Sequence, residues 1–200
     1  MIDKAWLSAI ATAIMVLAIF PYLLSTVRGI IRPHVMSWTI WGITTSIVFW
    51  AQREAGGGVG AWPVGFSALV AFLIAATAYT KRGDVRIVRS DWVFFLTALA
   101  AVPLWYATNN PLLAVLLVTT VDILGFGPTL RKAYDRPESE SLLFFSLIVV
   151  RNVLVLMALE SYSVTTALFP AAIGTMAATV AAVVVTRRLK LRQRKISRTH

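Results

Sequence analysis

The stretch FPYLL (residues 20–24) places a proline inside a long apolar segment, and the stretch GPTL (residues 127–130) does the same later in the chain. A second proline, Pro63 or Pro170, lies 42 residues beyond the proline of each stretch. Around both pairs the order is an apolar segment, a basic loop, a second apolar segment and a third. This pattern predicts one three-helix unit written twice. Internal repeats of this kind are typical of membrane carriers, in which two similar halves move about a site between them.

The composition favours a membrane protein. Of 200 residues, 58% are hydrophobic and 14% are charged, whereas a soluble domain of this size needs more polar surface. Cysteine is absent, which excludes disulfides and thiolate metal sites. Seven stretches are long and apolar enough to cross a bilayer core about 30 Å thick. These predicted helices are Ala5–Val27, Val35–Ala51, Trp62–Thr80, Trp92–Ala107, Pro111–Leu130, Leu142–Leu159 and Val164–Thr186.

We therefore predict an all-α integral membrane protein with seven transmembrane helices, arranged as a 3+1+3 parallel tandem repeat of three-helix bundles. The first repeat is assigned to residues 1–82, the linker helix to 83–109, the second repeat to 110–188 and a basic tail to 189–200. Because a single linker helix separates two groups of three helices, the second group enters the membrane from the same side as the first. The two halves are therefore expected to be parallel.

Basic residues fall on one side of the predicted membrane. Sixteen of the 19 Lys and Arg residues follow the first, third, fifth or seventh apolar segment. Because Lys and Arg gather in cytoplasmic loops, we expect a cell-membrane protein of the bacterial inner-membrane type, with its N-terminus outside and its C-terminus cytoplasmic. The net charge of +10 then comes from these loops and the tail, which we expect to attract anionic lipid headgroups rather than nucleic acid.

Two stretches carry a wider resemblance, and they are Phe20-Pro21-Tyr22-Leu23-Leu24…Arg32-Pro33…Ser37-Trp38 and Gly127-Pro128-Thr129-Leu130-Arg131-Lys132…Arg136-Pro137…Ser141-Leu142. In these residues the chain resembles the SWEET / PQ-loop (MtN3-like) transporter superfamily. The resemblance implies the 3+1+3 plan, an outside N-terminus and a proline near the cytoplasmic end of each repeat's first helix. The PQ dipeptide is not retained, since Tyr22 and Thr129 follow the prolines. Sugar-carrying members have an asparagine in each third helix, and this chain has none there, so we expect a polar solute other than a neutral sugar.

Two charges lie well inside predicted helices, Asp122 and Arg151. Charges in hydrocarbon are costly and usually face a cavity or a partner. Their depths differ by roughly 5 Å at 1.5 Å per residue, which leaves three readings open: a buried ion pair, a substrate anchor or a proton-coupling site. Asn152 adds a donor and an acceptor beside the arginine, and Trp41 and Thr45 share one stripe of the second helix. The predicted substrate-binding residues are Trp41, Thr45, Asp122, Arg151 and Asn152.

The four paired prolines receive two different roles. Pro21 and Pro128 lie inside apolar helices, where proline removes a backbone hydrogen bond and kinks the helix, so we predict them as hinges. Pro63 and Pro170 are predicted to mark the starts of their helices, where proline is tolerated.

Catalytic and metal-binding constellations are missing from the sequence. The two histidines, His34 and His200, lie in a loop and at the terminus, so we expect neither an enzyme nor a metal or cofactor site. We expect a small polar solute transporter or facilitator that works by alternating access between two three-helix bundles. The alternative is a non-transporting membrane receptor or scaffold on the same fold, which would bind a peptide or a lipid. The sequence leaves open whether the chain forms a homo-oligomer.

Overall fold

The computed structural model describes residues 3–29, 33–81 and 89–196. Over these ranges the chain is helical and contains no β-strand. The seven helices are α1 (Lys4–Val27), α2 (Val35–Glu54), α3 (Trp62–Thr80), α4 (Arg89–Thr108), α5 (Pro111–Asp135), α6 (Leu142–Ala158) and α7 (Val164–Ile196). Short 3₁₀ turns lie at Gly58–Ala61 and Pro137–Ser139. The prediction of an all-α chain with seven helices is confirmed.

Four segments are long and apolar enough to cross a membrane, by length and composition. They are Lys4–Val27, Gly58–Thr80, Pro111–Asp135 and Val164–Gln193. Phe95–Thr108 and Leu142–Ala158 are shorter apolar helices. The structure thus agrees with a membrane protein at this coarse level, while insertion of all seven helices stays a prediction.

The helix starts follow local sequence signals. The Asp3 carboxylate accepts a hydrogen bond from the backbone N–H of Ala5 at 2.9 Å and caps α1. The Ser141 hydroxyl accepts one from the N–H of Phe144 at 3.2 Å and caps α6. Pro63 occupies the first turn of α3, as expected for a start signal.

Helix α7 begins at Val164 as predicted, but two other expectations about it fail. Pro170 lies in its interior, so the expectation that this proline marks a helix start is wrong. The helix begins ahead of this proline, at Val164, because Ser163 and Thr166 cap it reciprocally: each hydroxyl accepts a hydrogen bond from the other residue's N–H, at 3.2 and 2.9 Å. At the other end α7 continues to Ile196, well past the predicted end at Thr186. The first part of the predicted basic tail is therefore helical.

Two predicted features stay untested. Pro21 lies inside α1 and Pro128 inside α5, and their role as hinges stays a prediction. The predicted boundary between the first repeat and the linker helix, at residues 82–83, lies outside the described residues.

In chain order the helices fall into two groups of three, which we call the first set (α1–α3) and the second set (α5–α7). In each set the third helix contacts both others: α3 contacts α1 and α2, and α7 contacts α5 and α6. Between the sets, α1 packs against α6 and α2 packs against α5. The first helix of each set therefore contacts the second helix of the other. Helix α4 packs against α5 and α2.

Two glycines let α2 and α3 approach closely. A Cβ atom on Gly42 would lie 2.7 Å from the ring of Phe72, and one on Gly65 would lie 2.7 Å from the ring of Phe49. Each helix thus supplies a glycine that receives a phenylalanine from the other. Small residues at contacts between apolar helices commonly serve this purpose.

Hydrogen bonds define the two ends of the bundle. At one end Lys4 Nζ donates to the carbonyl oxygen of Leu159 at 2.6 Å, and Gln52 Nε2 donates to that of Thr166 at 2.6 Å. We call this the glycine end, because residues 56–60 lie here. At the opposite, basic end, the Arg188 guanidinium donates to the carbonyl oxygens of Pro137 at 3.1 Å and Glu140 at 2.8 Å.

Candidate functional site

Asp122 lies between α5 and α2 and is only 6% exposed. Its Oδ2 atom is 3.4 Å from the hydroxyl of Thr44 on α2, and that hydroxyl also lies 3.1 Å from the carbonyl oxygen of Trp41. The other carboxylate oxygen, Oδ1, is buried without a hydrogen-bond partner. The carboxylate therefore bridges the two sets with one weak contact and keeps one oxygen free.

A threonine one turn earlier on α5 shares this property. Thr119 is 2% exposed, and its hydroxyl has no hydrogen-bond partner. Residues three apart on a helix lie on the same face, so Thr119 and Asp122 are neighbours there. We call Thr44, Thr119 and Asp122 the carboxylate cluster.

Arg151 lies on α6 and faces α3 of the first set. It is 4% exposed, and its Nη2 atom donates to the carbonyl oxygen of Pro63 and to the hydroxyl of Ser67, both at 2.7 Å. Its Nη1 atom donates to Oδ1 of Asn152 at 3.3 Å, while Nε is buried without a partner. Neutral oxygens alone thus hold this cation. We call Pro63, Ser67, Arg151 and Asn152 the arginine cluster.

The two buried charges do not pair. Among the described residues, no salt bridge within 4.0 Å joins Asp122 to Arg151, because one side chain reaches α2 and the other reaches α3. The reading of these residues as a buried ion pair is therefore wrong for this structure. Within the described ranges each of these side chains lacks an oppositely charged partner, and burying an unpaired ion usually costs several kcal/mol.

Trp41 belongs to an aromatic row that runs from α1 into α2. The ring centroids of Tyr22 and Trp38 are 5.4 Å apart, and those of Trp38 and Trp41 are 5.0 Å apart. Trp38 packs in a hydrophobic cluster that also contains Phe144 of α6. The Trp41 side chain is 39% exposed, and the Thr45 hydroxyl donates to its carbonyl oxygen. The row thus lies beside the second set and leaves one face of Trp41 open.

The five predicted substrate-binding residues therefore form two groups. Trp41 and Thr45 lie on α2 beside Thr44, which contacts Asp122 of α5, whereas Arg151 and Asn152 belong to the arginine cluster. Among the described residues, no hydrogen bond or ion pair joins the two groups.

Several residues of these clusters escaped the sequence analysis. Thr119 and Ser67 could have been found, because each is a hydroxyl residue one turn from a residue already singled out, Asp122 and Pro63 respectively. The Pro63 carbonyl oxygen could not have been found, because any residue carries such an acceptor.

A cavity of about 430 Å³ lies elsewhere, among α1, α2 and α3. Five aromatic side chains line it, and they are Phe49, Trp50, Trp62, Phe66 and Phe72. None of the predicted substrate-binding residues lines this cavity. Its lining is almost wholly apolar, so it offers little to orient a polar solute.

The glycine end ties the two sets together. The backbone N–H of Val59 donates to Oε1 of Glu160 at 3.0 Å, and the N–H of Glu160 donates to the carbonyl oxygen of Gly57 at 3.3 Å. A Cβ atom on Gly60 would lie 2.7 Å from the backbone nitrogen of Leu159, so only glycine fits there without a shift. This packing brings the 3₁₀ turn of the first set directly onto the chain that leaves α6.

Over the described residues, no group of three or more His, Cys, Asp or Glu side chains could hold a metal ion. The chain matches no protein-family model, no curated protein and no solved structure. The resemblance to the SWEET / PQ-loop superfamily therefore stays a prediction.

Proposed function

We propose that this protein is a transporter or facilitator for a small polar solute in the cell membrane, working by alternating access between the first and second sets. One observation carries the proposal: Asp122 and Arg151 are both buried, and neither has a charged partner among the residues that the structure describes. Ionisable residues inside a bundle of apolar helices usually mark the path of a solute or an ion. Unpaired charges are costly in a purely structural core, so a ligand that meets them explains their presence.

The contacts between the sets support two halves that move against each other. The pairs α1–α6 and α2–α5 are equivalent when each set is counted from its first helix. Such an arrangement is expected for parallel repeats related by an axis along the membrane normal. The carboxylate cluster lies at the contact between α2 and α5, and the arginine cluster links α6 to α3. Each cluster thus joins the two sets, and relative motion would change its surroundings.

The arginine cluster suits an anionic group on the solute. A guanidinium is planar and binds carboxylate or phosphate through two parallel hydrogen bonds. In this conformation the Nη2 atom of Arg151 donates its hydrogen bonds to Pro63 and Ser67 of the first set. A ligand that takes over these donors would loosen the link between α6 and α3, and so connect binding to motion.

The glycine end is closed in this conformation by the contacts of Lys4, Val59 and Glu160. With the orientation that the basic residues predict, this end faces outside. We therefore assign the conformation to a state closed toward the outside. At the other end, Lys190 and Arg192 are exposed on the extension of α7 and are positioned to meet anionic headgroups.

The alternative function is a non-transporting receptor or scaffold on the same fold. Mutual pairing of Asp122 and Arg151 would favour it, because a satisfied ion pair needs no solute. The two side chains are apart, and this favours transport.

A ligand screen on the purified chain tests the proposal. Thermal unfolding would be followed by tryptophan fluorescence in the presence of small carboxylates, phosphates and neutral sugars. We expect at least one carboxylate or phosphate to raise the melting temperature of the native chain and not of Arg151→Ala. Arg192→Ala, which removes an exposed arginine, is the matched control and should keep the response. An equal response in Arg151→Ala would contradict the site assignment.

A further inference from the structure

The hydroxyl of Thr119 behaves differently from those of its neighbours. Threonines inside helices commonly donate to the carbonyl oxygen one turn earlier, as Thr120 does to Leu116 at 2.8 Å and Thr39 does to Val35 at 2.9 Å. Thr119 makes no such bond, although it is almost fully buried. Leaving a buried hydroxyl unpaired is unfavourable, so its position calls for a ligand.

A second unpaired oxygen lies one turn further along the same face. Oδ1 of Asp122 has no partner, and Oδ2 has only the 3.4 Å contact with Thr44. The Thr44 hydroxyl carries a single proton and lies closer to the carbonyl oxygen of Trp41, at 3.1 Å. It cannot donate fully to both acceptors, so the carboxylate is under-satisfied on both oxygens.

No cation in the described part of the chain compensates this carboxylate. Among the described residues, no Lys, Arg or His nitrogen lies within 4.0 Å of Asp122. On the elements packed against α5, charged groups lie toward the helix ends: Arg53 and Glu54 close α2, Arg89 opens α4, and Arg187 and Arg188 lie near the basic end of α7. When Asp122 is ionised, its negative charge is thus compensated by no cation of the residues that the structure describes.

We propose that the carboxylate cluster, Thr44, Thr119 and Asp122, is a binding site for a single sodium ion between α2 and α5. The available ligand atoms are two carboxylate oxygens and two hydroxyl oxygens, all hard ligands. A single carboxylate balances a monovalent cation, whereas protein sites for calcium usually gather several oxygen ligands with more negative charge.

The site would have a consequence for transport. Helix α5 belongs to the second set and α2 to the first, so a bound ion would hold the two sets together at this contact. An ion gradient could then be linked to the motion of the sets. This consequence rests on the proposed function, but the binding of sodium does not.

Sodium binding can be measured on the full chain without knowing the solute. Thermal unfolding would be compared in NaCl, KCl and choline chloride at equal ionic strength, and binding of ²²Na⁺ would be measured directly. We expect Na⁺ alone to raise the melting temperature saturably, with one ion bound per chain. Equal responses to all three salts, or absent ²²Na⁺ binding, would overturn the site.

Two adjacent threonines provide a matched comparison. Thr119→Val should weaken the sodium response about tenfold, because it removes one ligand. Thr120→Val should leave it unchanged, since the Thr120 hydroxyl is bonded to its own helix and the side chain is exposed. Asp122→Asn should abolish the response. If Asp122→Asn does not fold, the comparison of Thr119→Val with Thr120→Val still decides the test. Equal sodium affinity in the two threonine variants would contradict the proposal.

The outcomes separate this site from the proposed function. Sodium binding without solute transport in liposomes would keep the ion site and remove the transporter assignment. Transport that is indifferent to sodium but driven by a proton gradient through Asp122 would remove the ion site and keep the transporter assignment.

Discussion

Arg151 on α6 donates a hydrogen bond of 2.7 Å to the carbonyl oxygen of Pro63 on α3, and so joins the second set to the first. The same Nη2 atom reaches the Ser67 hydroxyl one turn further along α3, also at 2.7 Å. A buried cation is therefore held by neutral oxygens across the contact between the two sets. Such a cation remains available for an anion, because none of its partners carries a negative charge.

Substitution of Arg151 should separate the effect of charge from that of geometry. Arg151→Lys keeps the charge but loses the planar fork, so we expect ligand affinity to fall by about 2 kcal/mol, roughly thirtyfold. Arg151→Ala should remove ligand binding altogether. Titration of the stabilising ligand, monitored by tryptophan fluorescence, measures both. Full affinity in Arg151→Lys would show that the planar guanidinium of Arg151 does not contact the ligand.

Removal of the Ser67 hydroxyl should weaken the link between α6 and α3. We expect Ser67→Ala to lower the free energy of unfolding by about 1 kcal/mol, because Arg151 loses one acceptor while keeping the Pro63 carbonyl oxygen. Ser146→Ala, at an exposed position of α6, is the control and should be neutral. Chemical unfolding in detergent measures the difference, and equal stabilities would argue against the contact.

Gly60 should not tolerate a side chain. Its Cβ atom would lie 2.7 Å from the backbone nitrogen of Leu159, and backbone cannot move aside as a side chain can. We expect Gly60→Ala to cost about 1–3 kcal/mol of stability. Gly125→Ala is the control, because a Cβ atom there meets nothing within 4 Å and alanine favours the helix. A stability of Gly60→Ala equal to that of the control would contradict the close packing at the glycine end.

The contact of Glu160 with Val59 should hold the glycine end closed. Because the chain has no cysteine, Ala61→Cys introduces a single thiol at a fully buried position in this region. We expect Glu160→Ala to speed maleimide labelling of this thiol about tenfold. In this variant the glycine end can open without breaking the charge-assisted hydrogen bond between Val59 and Glu160. Glu54→Ala, at the exposed end of α2, should leave the labelling rate unchanged. Identical rates in both variants would show that Glu160 does not hold this end.

The orientation in the membrane can be tested with the same cysteine-free background. A thiol at Ser161→Cys lies at the glycine end and one at Leu189→Cys lies at the basic end, both exposed. In whole cells, an impermeant maleimide should label the first and reach the second only after permeabilisation. The opposite pattern would reverse the topology.

The seven helices followed from the sequence because long apolar runs separated by basic or turn-forming loops leave few alternatives. The length of α7 did not follow, because its last residues are basic and hydropathy carries no signal for a helix that continues into water. The prediction for Pro170 failed because the cap formed by Ser163 and Thr166 starts α7 ahead of this proline. This local cap outweighs the preference of proline for a helix start.

The site was predictable in part. Asp122 and Arg151 stand out because charges are rare in apolar segments. Their partners did not stand out, since depth along a helix says nothing about the direction in which a side chain leaves it. The rotation of α5 and α6 about their axes brings Asp122 to Thr44 and Arg151 to Pro63, and this rotation is decided by packing of the whole bundle.

Transport by the reconstituted chain tests the central claim most directly. Liposomes with the native chain, with Arg151→Ala or with no protein would be given a defined mixture of small carboxylates, phosphates and sugars, and their contents measured by mass spectrometry. We predict that at least one carboxylate or phosphate accumulates only with the native chain. Accumulation with the native chain that equals that of empty liposomes, across the whole mixture, would contradict the assignment as a transporter for such solutes.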